Sequence, residues 1–222
     1  MVICDQYNFT FMRIPKNASS SLAHFFIKNC CNGRDVYTEV NDAGIPNNNV
    51  PHNIVLKYKT QYRFIHLTLQ EIIDNGIISK SDAIKKKNIG VIRNPFERQL
   101  SLYFFLDRRT KKSNPEEFRE HFKNGYHFKD GSNKILQTDY LSIDSKDCGE
   151  WWDYDNIDRH TNKFISDNSI QVRTNLQQFK SEMKPKDESL FDKYYDEKTA
   201  SAVKKYYEKD FEKYFEITGI EI

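Results

Sequence analysis

The chain has 222 residues, of which 38% are hydrophobic and 30% are charged, a composition typical of a soluble globular protein with a sizeable core. Its 34 basic and 32 acidic residues leave a net charge of +2, which disfavours a general nucleic-acid binder. The sequence contains neither the run of about 20 apolar residues that spans a membrane nor the pattern of a signal peptide. We therefore expect a cytoplasmic protein with a single domain over residues 1–222.

Predicted strands and helices alternate along the first part of the chain. The apolar run Phe9–Ile14 predicts a strand that ends at Pro15, and a helix over Leu22–Asn29 follows a turn of small residues. A loop rich in Asn, Pro and Gly is predicted over Asn41–Asn53, before a second strand over Arg63–Leu67. The chain thus opens with a strand, a polar turn and a helix.

The same alternation continues beyond the second strand. Thr68 and Glu71 predict a capping box at the start of a helix that ends near Gly76. A strand over Ile89–Arg93 and a helix over Phe96–Leu106 follow. The remaining predicted elements are a short helix within Ile77–Lys86, a helix over Glu116–Lys123, an irregular segment over Lys129–Asn162, a strand over Ser169–Arg173, a helix near Leu176–Met183 and an amphipathic C-terminal helix over Asp196–Phe215. The pattern predicts an α/β fold in three layers, with a mostly parallel central sheet of about four or five strands.

The cysteines suggest neither a disulfide framework nor a metal site. The chain has four, Cys4, Cys30, Cys31 and Cys148, and none forms a Cys-x-x-Cys pair. Two of them are adjacent, which is a poor start for a set of disulfides or for a zinc site. We therefore expect free thiols in a reducing compartment and no bound metal.

The first candidate motif is the segment RIPKNASSS at residues 13–21. A strand that leads into a helix through small residues exposes backbone N–H groups at the positive end of the helix, where phosphate or sulfate binds. Lys16 adds a positive charge, and the hydroxyls of Ser19–Ser21 add donors. The segment lacks the glycines of the nucleotide-triphosphatase loop GxxxxGK[ST]. Taken alone, it is better explained as a serine-capped helix with a surface lysine.

The second candidate motif is VIRNPFERQLSLY at residues 91–103. Arg93 ends a predicted strand and Ser101 lies two turns into the next helix, so both side chains can reach one phosphate. A surface salt bridge between Arg93 and Glu97 explains the motif equally well when it is taken alone. Together, two anion sites at the ends of two parallel strands fit a ligand with a 5′-phosphosulfate and a separate 3′-phosphate.

With both motifs in place, the chain resembles the carbohydrate sulfotransferases that use 3′-phosphoadenosine-5′-phosphosulfate (PAPS), and especially the branch with the heparan sulfate 2-O-sulfotransferases and bacterial relatives. In that family a PK-x-[AG]-[ST]-[ST]-[ST] loop holds the 5′-phosphosulfate, and an R-[ND]-P-[FYWI]-x-R-x-x-S-x-Y segment holds the 3′-phosphate. Both stand nearly intact here, at Pro15–Ser21 and Arg93–Tyr103. The segments His66–Ser79 and Tyr194–Tyr214 are also similar to the family. The resemblance is weakest over residues 107–169, where such enzymes differ with their acceptors.

The resemblance implies a core built like that of P-loop nucleoside kinases and transfer of a sulfuryl group from PAPS to a hydroxyl, on a carbohydrate, with release of 3′-phosphoadenosine-5′-phosphate (PAP). No metal is required in principle, because the transferred group carries less charge than a phosphoryl group. The near-zero net charge and the lack of a long apolar run predict no nucleic-acid or membrane partner. Lys16 is the candidate that stabilises the leaving phosphate oxygen. The residues implied to bind PAPS are Lys16, Asn17, Ala18, Ser19, Ser20, Ser21, Arg93 and Ser101.

The resemblance also suggests a base and a set of acceptor contacts. His66 matches the branch's general base in an H-x-[ST]-x-x-[DE] context, and the other interpretation is a structural histidine beside a helix cap. Arg13 has the offset of an arginine that contacts acidic acceptors, although a solvent-facing strand residue is equally consistent. Arg108 and Arg109 are candidates for a cationic rim, for which a solvated charge run is the commoner explanation.

Two alternatives of other classes stay open. A nucleotide or small-molecule kinase of related fold is disfavoured by the missing GK[ST] element. A nucleotide- or glycan-binding module without turnover is disfavoured by the joint presence of Lys16, His66, Arg93 and Ser101.

Overall fold

A mixed sheet of six strands runs through the part of the chain that the computed structural model describes, which comprises residues 1–32, 35–40, 46–49, 65–107, 114–123, 136–176 and 190–222. Its strands are β1 (Val2–Cys4), β2 (Phe9–Phe11), β3 (Val36–Val40), β4 (Pro46–Asn49), β5 (Lys87–Ile92) and, after a small hairpin of β6 (Ser142–Ile143) and β7 (Lys146–Asp147), β8 (Gly149–Asp153). The helices are α1 (Ser19–Asn29), α2 (Leu69–Asp74), α3 (Lys80–Lys85), α4 (Pro95–Asp107), α5 (Pro115–Lys123), α6 (Ile157–Asp167), α7 (Leu190–Tyr194), α8 (Glu197–Tyr206) and α9 (Glu208–Thr218).

The strand order β4-β3-β1-β2-β5-β8 divides the sheet into two halves. In one half, β2, β5 and β8 are parallel, as expected, with Phe11 opposite Ile89 and Val91 opposite Trp152. In the other half, β1, β3 and β4 pair antiparallel, so the sheet is mixed rather than mostly parallel. Because parallel strands end at the same edge, the segments that follow β2, β5 and β8 begin side by side.

Apolar side chains cover both faces of the sheet, which gives the three layers that the sequence predicts. On one face, α1 and α6 pack their aromatic rings against β2, with Phe26 4.9 Å from Phe9 and 5.4 Å from Phe164 between ring centroids. Leu22, Phe25 and Phe26 of α1 are buried at helical spacing, which explains why this segment forms a helix against the sheet. The opposite face is covered by α2, by a 3₁₀ turn at Thr138–Leu141 and by α9.

The capping box predicted before α2 is confirmed. Thr68 Oγ1 accepts the Glu71 N–H, and the Glu71 carboxylate accepts the Thr68 N–H. The strand predicted over Arg63–Leu67 is wrong in its described part, because Ile65 is helical and His66 lies in a turn that leads to α2. Both edges of β2 are already paired, with β1 and with β5, so this segment cannot pair with β2 as a further strand. Its apolar residues Ile65 and Leu67 are buried against a face of the sheet instead.

Two irregular predictions are also corrected. Within the loop predicted over Asn41–Asn53, Pro46–Asn49 forms β4 at the sheet edge, where backbone pairing does not depend on apolar side chains. The segment predicted as irregular over Lys129–Asn162 contains β8, in which Trp151 and Trp152 are buried on opposite faces. Because both faces of β8 are covered, apolar residues occupy consecutive positions, and the sequence lacks the alternation of apolar and polar residues that would indicate a strand.

The C-terminal part of the chain differs from its prediction as well. The strand predicted over Ser169–Arg173 has no regular structure, because the N–H groups of Arg173 and Thr174 bond to the side chain of Asn29 instead of to a strand. The helix predicted near Leu176–Met183 lies, beyond its first residue, outside the described residues. The single helix predicted over Asp196–Phe215 is two helices, α8 and α9, which meet at the buried Tyr207.

A close approach fixes the 3₁₀ turn against β8. A Cβ atom at Gly149 would overlap Leu141 Cδ1, which Leu141→Ala removes, and would lie 2.9 Å from Leu141 Cβ, which alanine keeps. We expect Gly149→Ala to lower the free energy of unfolding by about 1–3 kcal/mol in urea denaturation. In the double variant with Leu141→Ala, the two losses should be less than additive. Additive losses would show that the contact between residues 149 and 141 does not set the distance between the 3₁₀ turn and β8.

Candidate functional site

The loop between β2 and α1 has an unusual backbone that opens toward the end of the helix. Lys16 (φ 69°) and Ala18 (φ 54°) both have left-handed conformations. Ala18 is the N-cap of α1, and its side chain makes no capping hydrogen bond. The first N–H groups of a helix have no partner within it, so those of Ser19–Ser21 face the loop at the positive end of the helix dipole. This geometry suits an anion.

The buried side chain of Asn17 attaches the loop to the neighbouring strand β5 and to Gln137. Its side chain is fully buried, and Nδ2 donates to the carbonyl oxygen of Val91 at 2.6 Å and to Gln137 Oε1. The loop after β2 is thereby attached to the neighbouring strand β5. Asn17 is therefore a positioning residue in this structure, whose amide nitrogen is engaged with the protein itself.

Gln137 connects the two motifs from a segment that sequence reasoning left as irregular. Its Oε1 accepts the N–H of Arg93 at 3.0 Å, and its Nε2 donates to the carbonyl oxygen of Arg93 at 3.0 Å. The same Oε1 accepts from Asn17. The side chain is fully buried, so this fork replaces the strand partner that the backbone of Arg93 lacks at the end of β5.

Arg93 joins the two motifs directly. Its Nη1 donates to the carbonyl oxygen of Lys16 at 3.0 Å, and its Nη2 donates to Glu97 Oε2 at 2.9 Å. The guanidinium lies 4.3 Å from the ring centre of Tyr154, which follows β8. Arg93 Nε is buried and has no hydrogen-bond partner among the described residues. The edge where β2, β5 and β8 end thus holds a buried cation with one donor unsatisfied.

Arg98 lies below the loop and faces Asp210 of α9. Its Nε donates to the carbonyl oxygen of Pro15 at 3.2 Å, and its Nη1 is 3.9 Å from Asp210 Oδ2. Asp210 accepts the N–H groups of Gln137 (2.9 Å) and Thr138 (3.1 Å). Burial raises the pKa of Asp210, while the charge of Arg98 and these hydrogen bonds oppose the rise. A buried ion pair therefore supports both the loop and Gln137.

The supporting residues Gln137, Tyr154 and Asp210 are difficult to recognise from the sequence. Asp210 is an acidic residue on the buried side of an amphipathic helix, which is a recognisable anomaly. Gln137 and Tyr154 carry no local signal, because their roles depend on contacts across 44 and 61 residues of the chain, counted from Arg93.

The other residues that the sequence suggests for binding PAPS lie around Arg93 and Asn17. The ammonium of Lys16 is 4.3 Å from the ring centre of Phe105, so α4 holds it by a cation–π contact. Ser101 is partly exposed on α4, one turn beyond Glu97. Ser19 and Ser21 are buried, and Ser20 is partly exposed.

His66 is placed at the same edge by a contact rather than by the strand that the sequence predicts. Its Nδ1 bonds to the carbonyl oxygen of Arg13, and Arg13 Nη2 donates to Ser20 Oγ at 3.2 Å. A carbonyl only accepts, so Nδ1 carries the proton and Nε2 is the basic atom of the neutral ring. Burial, and then the charge of Arg13, lower the pKa of His66 to about 3. The imidazole is therefore neutral in this structure at physiological pH.

Arg108 and Arg109 lie outside the described residues. Trp151 and Trp152 are both core residues with 7% and 2% exposure. Among the described residues, no helix has the length and apolar character needed to cross a membrane.

A comparison with protein families identifies the family of this chain. A family model of sulfotransferases matches residues 1–216, and the chain therefore belongs to the sulfotransferase family. Members of this family are transferases that generally take the sulfuryl group from PAPS. No curated protein and no solved structure matches the chain.

The depressed pKa of His66 predicts a pH dependence of stability. The unfolded chain, with an ordinary pKa of 6.5, binds a proton that the folded chain excludes down to about pH 3. The contribution of neutral His66 to the free energy of unfolding is complete above pH 6.5 and is lost as the pH falls from 6.5 toward 3. We expect the wild type to lose about 1.4 kcal/mol per pH unit more than His66→Gln in urea denaturation. Parallel pH profiles would contradict the buried, neutral assignment.

The buried pair beneath the loop predicts a large loss of stability for Asp210→Asn. The substitution leaves the Arg98 charge buried without its counterion, which typically costs about 3–5 kcal/mol. Chemical denaturation measures this loss, and Glu212→Gln, at an exposed position of the same helix, is the matched control with a change under about 0.5 kcal/mol. A similar small effect in both variants would contradict a role for the pair.

Proposed function

We propose that the protein transfers a sulfuryl group from PAPS to a hydroxyl of a carbohydrate and releases PAP. The observation that carries this proposal is the hydrogen bond from Arg93 Nη1 to the Lys16 carbonyl oxygen. It brings the loop suited to a 5′-phosphosulfate next to the arginine suited to a 3′-phosphate. A donor with these two anionic groups spans both motifs, whereas a nucleotide without the 3′-phosphate engages only one.

Unsatisfied buried donors support an anionic ligand. Arg93 Nε and Arg98 Nη2 are buried and have no hydrogen-bond partner among the described residues, and Arg98 Nη1 has only its ion pair with Asp210 at 3.9 Å. Leaving such charged donors without acceptors is costly, and an anion at this edge reduces the cost for any donor that it reaches. Ser101, on the helix that follows Arg93, adds a hydroxyl for the 3′-phosphate. The hydroxyls and N–H groups of Ser19–Ser21 serve the 5′ end.

The proposed reaction is an in-line displacement at sulfur. The acceptor oxygen forms a bond to sulfur while the bond from sulfur to the bridging phosphate oxygen breaks, and that oxygen leaves on PAP with the electron pair. Lys16 stabilises the charge that develops on the leaving oxygen. His66 Nε2 takes the proton that the acceptor hydroxyl loses. The protein supplies position and charge rather than a covalent intermediate, as in phosphoryl transfer.

His66 becomes a stronger base when the donor binds. Its pKa of about 3 in the free protein results from burial and from the positive charge of Arg13. An anionic donor on the Lys16–Ser21 loop lies beside Arg13, which contacts Ser20. The anion offsets the charge of Arg13, so the imidazolium form costs less and the pKa rises. Donor binding therefore prepares the base for the acceptor.

The carbohydrate acceptor rests on the family resemblance. Arg13 is proposed to contribute positive charge next to the transferred group, and Arg108 and Arg109 are proposed for the acceptor side of the site. Trp151 and Trp152 are too buried to stack on a sugar ring.

Steady-state kinetics with PAPS and a panel of glycans test the assigned roles. Lys16→Ala should lower kcat by about 100- to 1000-fold, because it removes a donor to the leaving oxygen. Lys28→Ala, at an exposed position of α1, is the matched control with unchanged turnover. His66→Ala should lose turnover but keep its affinity for PAP. Near-normal turnover of Lys16→Ala contradicts the mechanism. In a thermal-shift measurement, stabilisation of the protein by ATP but not by PAP would favour the alternative function of a nucleotide or small-molecule kinase.

A further inference from the structure

Three side chains of types that can bind a metal ion lie close together at the opposite end of α1 from the donor loop. Cys4 is in β1, Cys31 follows the end of α1, and Asp35 precedes β3. Their sulfur and carboxylate oxygen atoms all lie within 4.8 Å of one another. The pairing of β1 with β3, in which Ile3 is opposite Val36, brings these distant parts of the chain together. The four cysteines are free thiols, so both sulfur atoms are available as ligands.

The groups around the cluster hold the ligands in place. Asp35 Oδ1 accepts the Asp5 N–H at 2.9 Å, and Oδ2 accepts the Asn32 N–H at 2.7 Å. Each carboxylate oxygen has a second lone pair, so these bonds orient the carboxylate without preventing coordination. Hydrogen bonds of this kind to ligating atoms are typical of metal sites.

Other polar groups at this turn are engaged elsewhere. The Lys86 ammonium donates to Asp5 Oδ1 at 2.7 Å and to the carbonyl oxygen of Cys4 at 3.3 Å. Its charge is therefore paired with Asp5 rather than with Asp35. Cys31 is partly exposed, which gives an ion a path from solvent and leaves room for water as a fourth ligand.

We propose that Cys4, Cys31 and Asp35 bind a thiophilic divalent cation, and that Zn²⁺ suits this ligand set best. Two thiolates and a carboxylate are ligands that zinc accepts, whereas Mg²⁺ and Ca²⁺ take oxygen ligands only. Binding displaces the two thiol protons. This site is independent of the proposed sulfuryl transfer.

The proposed ion ties the end of α1 to two strands of the sheet. The donor loop is at the other end of the same helix, so the ion stabilises the scaffold of the site without contacting the donor. The sequence predicts no metal site, because its cysteines form no Cys-x-x-Cys pair and Cys30 is adjacent to Cys31. Sheet pairing, rather than proximity along the chain, creates the cluster.

Titration of the fully reduced protein with Co²⁺ and then Zn²⁺ tests the site. We expect one Co²⁺ per chain with an absorption band from thiolate-to-metal charge transfer, which Zn²⁺ abolishes by displacing the cobalt. Cys31→Ser should remove the band and weaken Zn²⁺ binding, measured against a chromophoric chelator, by at least about tenfold. Cys148→Ser, at a cysteine of similar partial burial, should behave like the wild type.

Thiol labelling of the wild type provides a second measurement if Cys31→Ser does not fold. Zn²⁺ should protect Cys31 from alkylation and leave Cys148 reactive. The proposal is overturned if the reduced protein gives no charge-transfer band, if Cys31→Ser binds Zn²⁺ as the wild type does, or if Zn²⁺ leaves both thiols equally reactive. A disulfide that forms between Cys4 and Cys31 even when Zn²⁺ is present would identify a redox pair instead.

Discussion

The hydrogen bond from Arg93 to the carbonyl oxygen of Lys16 is the contact on which the candidate site depends. It spans 77 residues of sequence and joins the loop after β2 to the segment after β5. Parallel pairing of these strands brings the two segments to one edge, and the bond fixes their separation. Each motif alone is an ordinary helix start, whereas the joined pair is the basis of the proposed site for a ligand with two anionic groups.

This contact is held in place by buried polar groups rather than by apolar packing alone. Gln137 binds both backbone groups of Arg93 and the side chain of Asn17, and Asp210 in turn binds the backbone of Gln137. Buried polar groups are stabilising only when their partners are in place, so the chain of contacts specifies one arrangement of the loop. The C-terminal helix α9 is therefore part of the site's support, although none of its residues is assigned a direct role in the reaction.

The elements of this protein that the sequence predicts correctly are those that depend on local sequence patterns. The strand–turn–helix at the first motif, the capping box at Thr68 and the strand that ends at Arg93 depend on neighbours within a few residues. The buried β8 was missed because a strand covered on both faces has no alternation. Gln137 was missed because only the fold places it beside the motifs. Asp210 is a recognisable anomaly on the buried side of its helix, but only the fold shows which groups it contacts. His66 was selected by its sequence context, and its contact with Arg13 shows that a turn, not a strand end, positions it.

Calorimetric titration with PAP and with 5′-AMP tests the central claim that the two motifs form one donor site. AMP lacks the 3′-phosphate, so the ratio of the two affinities isolates the contribution of the second motif. The wild type should prefer PAP by at least about tenfold, since hydrogen bonds to charged groups contribute about 1.5–3 kcal/mol each. Arg93→Gln should lose most of this preference. Equal affinities in the wild type, or an undiminished preference in Arg93→Gln, would contradict a shared donor site.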